Sequence, residues 1–142
     1  MTTLKVEILS PEAALWSGTA TALIARSSEG DFTVLAGHTA TVGDVTSTVV
    51  RVQTSDEGEI AFAVHTGFFQ VGKDLEPDTT LATVLASVAE RTTEIDVARA
   101  QRAKDAAEAR LAEATKTEDG REEILAQAAI DRADLRLSAA AK

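Results

Sequence analysis

The chain has no cysteine in its 142 residues, so neither a disulfide nor a thiolate metal site is open to it. Aromatic residues make up only 4%, and any core must be built mainly from Val, Ile, Leu and Ala. No apolar run approaches the roughly 20 residues that a membrane helix needs. The opening MTTLKVEIL interrupts its apolar residues with Lys5 and Glu7, which excludes a signal peptide. It also lacks the Arg- and Ser-rich character of an organellar transit peptide. Histidine occurs only at positions 38 and 65, and the phosphate-loop pattern G-x-x-x-x-G-K-[ST] is absent. With so few nucleophile, base and ligand types, no catalytic or metal constellation can be assembled. The expectation is a non-enzymatic chain that requires no cofactor and holds no metal. The carboxylate pairs Glu57/Glu59 and Glu122/Glu123 fall in a polar turn and near a helix start, where solvation or the helix dipole accounts for them.

Cations are also scarce, and unevenly so. Residues 1–89 hold 4 Lys+Arg against 11 Asp+Glu, and residues 90–142 hold 10 against 12, for a net charge of −9. Nucleic acid and anionic membrane both demand a positive surface, so neither is an expected partner. A soluble, intracellular chain without membrane insertion is predicted.

What is present has two periods. LKVEI alternates with Leu4, Val6 and Ile8 on one face, and EIAFAV repeats this with Ile60, Phe62 and Val64. VTSTVVRVQ, FFQV and TTLATVL are short, β-branched or aromatic, and separated by turn residues such as Asp56-Glu57-Gly58 and Gly72-Lys73-Asp74. Seven of the eight glycines and both prolines lie in this half. Residues 1–88 therefore predict a small β-sandwich or barrel. From residue 89 the character changes. Residues 94–114 contain no Gly or Pro and are rich in alanine, the best helix former. TKTEDGR (115–121) is a polar break, and a second Ala-rich stretch runs from Arg121 to Ala141. Ala100, Ala103, Ala107, Leu111 and Ala114 form one stripe at helical spacing, and Ala126, Ala129, Ile130, Ala133, Leu137 and Ala140 the other. Residues 89–142 thus predict an antiparallel two-helix hairpin, mainly β being followed by α. A seam of alanine buries little area, so a hairpin that opens or shifts at low cost and one that never moves are both open readings.

Register brings arginines together. With a turn near position 118, Arg99 lies 19 residues before it and Arg136 lies 18 after, at the same level. Arg132 is one turn from Arg136 on the same face. Three guanidiniums at one end repel unless carboxylates or an anion sit between them. Asp96, Asp131 and Asp134 are the internal candidates, and phosphate oxygens the external ones.

Four stretches carry a family resemblance. Leu15-Trp16-Ser17-Gly18, the segment SSEGDFTVLAGHT (27–39), HTGFFQV (65–71) and EIDVARA occur in the order seen in the epsilon subunit of F-type ATP synthases, the counterpart of the mitochondrial delta subunit. Leu15-Trp16-Ser17-Gly18 corresponds to an early aromatic-Ser-Gly turn of that family. Three departures touch the loops: Ala36 and Thr39-Ala40 replace frequent prolines around Gly37-His38, and His65-Thr66 precedes Gly67.

The resemblance implies a non-catalytic rotor-stalk subunit at the cytoplasmic face of a bacterial membrane. Its sandwich would bind the gamma subunit and the ring of c subunits, coupling proton-driven rotation to ATP synthesis. Glu29, Gly30, Asp31 and His38 match loops that face the c-ring. The hairpin would regulate ATP hydrolysis, lying down or rising along gamma so that cations such as Arg91, Arg102, Lys104, Arg110, Lys116 and Arg121 meet the alpha and beta catalytic subunits. Intrahelical pairing with Asp105, Glu108, Glu113 and Glu118 is the alternative use of those cations. Ile95-Asp96-x-x-Arg99-Ala100 resembles the I-D-x-x-R-A motif by which some epsilon subunits bind ATP, and Arg132-Ala133-x-x-Arg136-Leu137 matches its second element. Glu90 and Asp96 would accept hydrogen bonds from ribose or the adenine amino group. The competing reading is a stand-alone nucleotide-sensing module.

Overall fold

The computed structural model of the chain describes residues 2–140. It divides into two compact units, with the boundary between Arg91 and Thr92.

The first unit is a sandwich of two five-stranded sheets. One sheet has the order β2 (Ala14–Ala20), β1 (Thr3–Leu9), β9 (Thr79–Ala86), β8 (Gly67–Lys73), β5 (Thr41–Val45). The other has the order β10 (Ala89–Arg91), β7 (Glu59–Val64), β6 (Thr48–Gln53), β3 (Ala22–Ser27), β4 (Gly30–Val34). β1 runs parallel to β9, and every other pairing is antiparallel. Period-two alternation sends one face of each strand inward. Leu4, Val6 and Ile8 of β1 are buried, as are Ile60, Phe62 and Val64 of β7, and they meet Val50, Val52, Phe69, Val71 and Val84 in one core.

Four local expectations change. VTSTVVRVQ is not one strand: the chain leaves the first sheet after Val45 and enters the second at Thr48. Thr46 N–H donates to the Arg26 carbonyl (2.9 Å) and Ser47 Oγ to the His65 carbonyl, so the crossing is held by backbone of β3 and of the β7–β8 turn. Leu15-Trp16-Ser17-Gly18 is strand β2, not a turn, with Trp16 opposite Ile8 and Gly18 opposite Val6. The indole folds back over Gly18, where a Cβ would sit 2.9 Å from the ring. Gly72 and Lys73 complete β8 and leave the turn to begin at Asp74. Residues 89–91 form β10, pairing with Val64, Ala63 and Phe62, and so belong to the sandwich unit instead of the helical segment.

The second unit holds a short 3-10 turn at Thr92–Glu94, helix α1 (Val97–Lys116) and helix α2 (Gly120–Ala140). The polar break is only residues 117–119, and Gly120 already lies in α2. Ala141, the expected end of the second helical stretch, lies outside the described residues. On α1 the buried positions are Ala100, Ala107 and Ala114, with Lys104 and Leu111 half-buried between them. Ala103 is exposed, so the stripe leans toward Lys104 instead. On α2 Ala126, Ile130, Ala133 and Ala139 are buried, while Ala129, Leu137 and Ala140 are half-buried.

The connection ends one helix and starts the next within three residues. Asp119 N–H donates to the Ala114 carbonyl (3.0 Å) and Glu118 N–H to the Thr115 carbonyl (3.3 Å), the pattern of a Schellman cap. Asp119 Oδ1 then accepts from Glu122 N–H (3.1 Å) and caps α2. Glu118 sits at φ 56, the left-handed position that glycine occupies without steric cost. Glu118→Gly is therefore expected to stabilise the hairpin by about 0.5–1 kcal/mol, after subtracting glycine's larger unfolded-state entropy. Thermal melts followed by helical circular dichroism would test this, and a lowered midpoint would contradict it.

Candidate functional site

Asp96 is the N-cap of α1. Its Oδ1 accepts from the backbone N–H of Arg99 at 3.0 Å, so the Asp-x-x-Arg spacing has a local structural use. Ala100 is buried in the helix seam at 3% exposure, and Ile95 is half-buried just before the cap. Arg99 and Arg132 are exposed and Arg136 is half-buried. Glu90 lies in β10 of the sandwich unit, opposite Ala63.

The three carboxylates expected as internal partners are engaged elsewhere. Asp96 caps the helix, Asp131 Oδ1 accepts from Gln127 Nε2 (3.0 Å), and Asp134 Oδ1 meets Lys104 Nζ (2.8 Å). The Asp134 hydrogen bond and charge raise the Lys104 ammonium above its ordinary pKa. Among the described residues, neither Arg99 nor Arg132 takes part in an ion pair. Two ion pairs among the described residues join the helices, Lys104 to Asp134 and Arg110 to Glu122 (2.7 Å).

Helical geometry sorts these groups onto two flanks. Each residue turns the helix by about 100°, so a residue just before a seam position points to one side. In an antiparallel pair that side is shared by both helices. Arg99 precedes Ala100, Arg132 precedes Ala133, Arg136 precedes Leu137 and Arg110 precedes Leu111. Arg110 duly meets Glu122 there, toward the turn. Residues that follow seam positions, among them Glu108, Asp131 and Asp134, point to the opposite flank. By this geometry Arg99, Arg110, Arg132 and Arg136 share one flank with Glu113 and Glu122, and Glu108, Asp131 and Asp134 fall on the other.

In the sandwich, Glu29, Gly30 and Asp31 stand together at the β3–β4 turn, with Gly30 at φ 123. Arg26 Nε donates to Asp31 Oδ1 at 2.6 Å, and that hydrogen bond, then the charge, holds the carboxyl below its ordinary pKa. Asp44 braces the turn by accepting from Ser28 N–H and Oγ, each at 2.9 Å. Glu29 is exposed and has no ion-pair partner among the described residues. His38 does not join them. It follows the far end of β4, where its N–H donates to the Leu35 carbonyl (3.1 Å) and its Nδ1 to the Thr39 carbonyl (2.8 Å). The four expected contact residues therefore occupy opposite ends of one strand.

A further surface has no counterpart among the expected sites. On the outward face of the first sheet Phe68 lies opposite Leu85, and Leu85 beside Leu9. Phe68 is 63% exposed, Leu85 48% and Val42, nearby on β5, 73%. A groove of about 760 Å³ opens beside them, walled by Leu9, Pro11, Val45, Phe68 and Leu85 and rimmed by hydroxyls including Ser10, Thr46 and Ser87. The paired phenylalanines Phe68-Phe69 are the sequence signal: in a strand, one of two adjacent large apolar residues must face outward.

A two-sheet sandwich followed by a helix hairpin defines a two-domain class of small subunit, and the comparisons identify its family. Residues 3–92 match the family model described as ATP synthase, Delta/Epsilon chain, beta-sandwich domain, and residues 93–141 match the long alpha-helix domain of the same chain. The chain belongs to the ATP synthase delta/epsilon family. It is 35% identical to the ATP synthase epsilon chain of Ruminococcus albus, covering 100% of this chain and 99% of that one. It is 38% identical to that of Laribacter hongkongensis (98% and 94% covered) and 39% to that of Streptomyces griseus (70% and 76%). Its fold is similar to a chain of the mitochondrial ATP synthase OSCP/F1/c-ring assembly of Euglena gracilis, with a TM-score of 0.79 at 21% identity, covering 100% of this chain and 83% of that one.

Proposed function

We propose that this chain is the epsilon subunit of a proton-translocating F-type ATP synthase, a non-catalytic part of the rotating central stalk. The observation that carries this reading is kinship along the whole length to chains named ATP synthase epsilon chain, sandwich and hairpin alike. The outward apolar face at Phe68, Leu85 and Val42 suits a lasting protein partner, since apolar area of this kind is costly to leave in water. We assign it to the gamma subunit. The Glu29-Gly30-Asp31 turn, with Glu29 uncommitted, is the contact to the c-ring; a flat ring surface meets one end of β4, so His38 serves a different surface. Attachment to the membrane is through the complex, and no helix among the described residues is long and apolar enough to cross a bilayer.

The hairpin is the regulatory element. Raised, it brings its cations to the alpha and beta subunits and restrains hydrolysis. Folded down, it binds ATP as a regulatory ligand on the arginine flank, with phosphates on Arg99, Arg132 and Arg136. Support comes from two exposed guanidiniums, while Asp96, Asp131 and Asp134 have partners of their own. ATP favours the lowered state only to the extent that it binds that state better.

Co-purification with gamma tests the stalk role, and its failure would return the chain to a stand-alone nucleotide sensor. Titration of the isolated chain with Mg-ATP tests the ligand. Arg99→Ala and Arg132→Ala are each expected to weaken binding by about tenfold or more, the worth of a charge-assisted hydrogen bond. A wild type with no saturable signal at millimolar ATP would end the ligand reading and leave the stalk role standing.

A further inference from the structure

We infer that Asp44 is a positioning residue: it ties the Glu29-Gly30-Asp31 turn to the wall of the apolar groove, so that a protein seated in the groove stiffens the turn. This rests on the docking surfaces assigned above and adds a link between them. Residues 44–47, where the chain leaves the first sheet for the second, form part of the groove wall. Asp44 stands opposite Phe68 in the β5–β8 pairing, and facing residues in a ladder share one side of the sheet. Its carboxylate also reaches the turn, accepting from Ser28 N–H and Ser28 Oγ at 2.9 Å each. Two residues on, Thr46 N–H (2.9 Å) and Thr46 Oγ1 (3.3 Å) both donate to the Arg26 carbonyl. Arg26 in turn holds Asp31 at 2.6 Å. One short segment of groove wall thus grips the turn at two points, Arg26 and Ser28. Glu29 sits between the gripped residues and the apex, its N–H donating to Ser27 Oγ (3.1 Å) and its side chain exposed.

Of the bonds between the groove wall and the turn, those to Asp44 are the ones with a charged acceptor. Asp44 is half-buried, and among the described residues it joins no ion pair, so water shares with Ser28 the solvation of its charge. A partner that covers Phe68 also displaces water from beside Asp44. Hydrogen bonds strengthen as the local dielectric falls, and a carboxylate that loses water depends more on the donors it keeps. Filling the groove is thereby converted into a firmer hold on Ser28, and Glu29, the next residue, is presented in a narrower range of directions.

The experiment follows hydrogen exchange at the Ser28 amide of the full chain, alone and bound to gamma. In the free chain Asp44→Ala should speed exchange at Ser28 by about fivefold or more, the scale of a lost hydrogen bond to a charged group, while the amides of the β8–β9 ladder keep their rates. On binding gamma, Ser28 should slow by about tenfold in the wild type and by less than about twofold in Asp44→Ala. Asp44→Asn keeps a neutral acceptor and should recover a slowing of about threefold. The free-chain comparison holds even where the alanine variant no longer retains gamma. An unchanged Ser28 rate in the free variant would overturn the inference. Equal slowing in the wild type and in Asp44→Ala would also overturn it, since gamma would then be covering the turn directly. Gamma binding with no slowing at Ser28 in the wild type would overturn the inference and leave the docking face standing. Absence of gamma binding would overturn both.

Discussion

Gly67→Ala is expected to lower the stability of the sandwich by about 3 kcal/mol, the upper end of overpacking costs. The reason is backbone, not side chain. A Cβ at position 67 would stand 2.1 Å from the Leu85 carbonyl oxygen and 2.9 Å from the Ala86 Cα. Those atoms belong to β9, the central strand of the sheet, and cannot move without breaking the β8–β9 ladder. At about 4–8 °C per kcal/mol for a unit of this size, the thermal midpoint should fall by roughly 15–20 °C. Gly72→Ala is the matched control on the same strand, because nothing lies within 4 Å of its added methyl. It should shift the midpoint by no more than about 5 °C, within the range of a strand substitution free of clashes. Equal midpoints for the two variants would refute the close-approach account. Gly67 also borders the apolar groove, so its substitution should weaken gamma binding at temperatures where the sheet still stands.

Removal of residues 92–142 should raise ATP hydrolysis by the assembled enzyme about fivefold or more, the usual scale of coupling between a regulatory element and a distant site. The cut matters. Ending the chain at residue 88 would also delete β10, which pairs with Ala63 and Val64 at the edge of the second sheet, and would confuse loss of regulation with damage to the sandwich. Ending it at Arg91 keeps that pairing. Gamma binding should be unchanged in the shortened chain, since the proposed docking face lies on the first sheet. Unchanged hydrolysis would remove the regulatory role without touching the stalk role.

The strands that could be read from sequence are those whose burial alternates. β1 and β7 show Leu4, Val6 and Ile8, or Ile60, Phe62 and Val64, with polar or small residues between them. The sheet crossing at Thr46-Ser47 left no such mark. Both residues are compatible with a strand, neither is Gly or Pro, and only pairing with distant β8 and β7 decides that β5 and β6 belong to different sheets. β2 was obscured for another reason: Trp16, Ser17 and Gly18 look like turn chemistry until the missing Cβ of Gly18 is seen to house the indole. On the helices, the antiparallel arrangement was legible because one short turn leaves a helix pair little freedom of register, and Lys104–Asp134 and Arg110–Glu122 are cross-pairs of that arrangement. The exposed Ala103 was not, because alanine fits a seam or a surface equally well.

By itself, then, the sequence determined that there are two parts, a β part and an Ala-rich hairpin. Periodicity and helix propensity are local properties, and they suffice for that much. Tertiary structure alone decided that Asp96, Asp131 and Asp134 are spent on a cap, a glutamine and a lysine, leaving Arg99 and Arg132 outside any ion pair among the described residues. It alone separated His38 from Glu29 and placed Phe68, Leu85 and Leu9 side by side on the outer face. Which carboxylate meets which cation, and which apolar residues share a face, depends on partners far apart in the chain, and no local pattern carries that information.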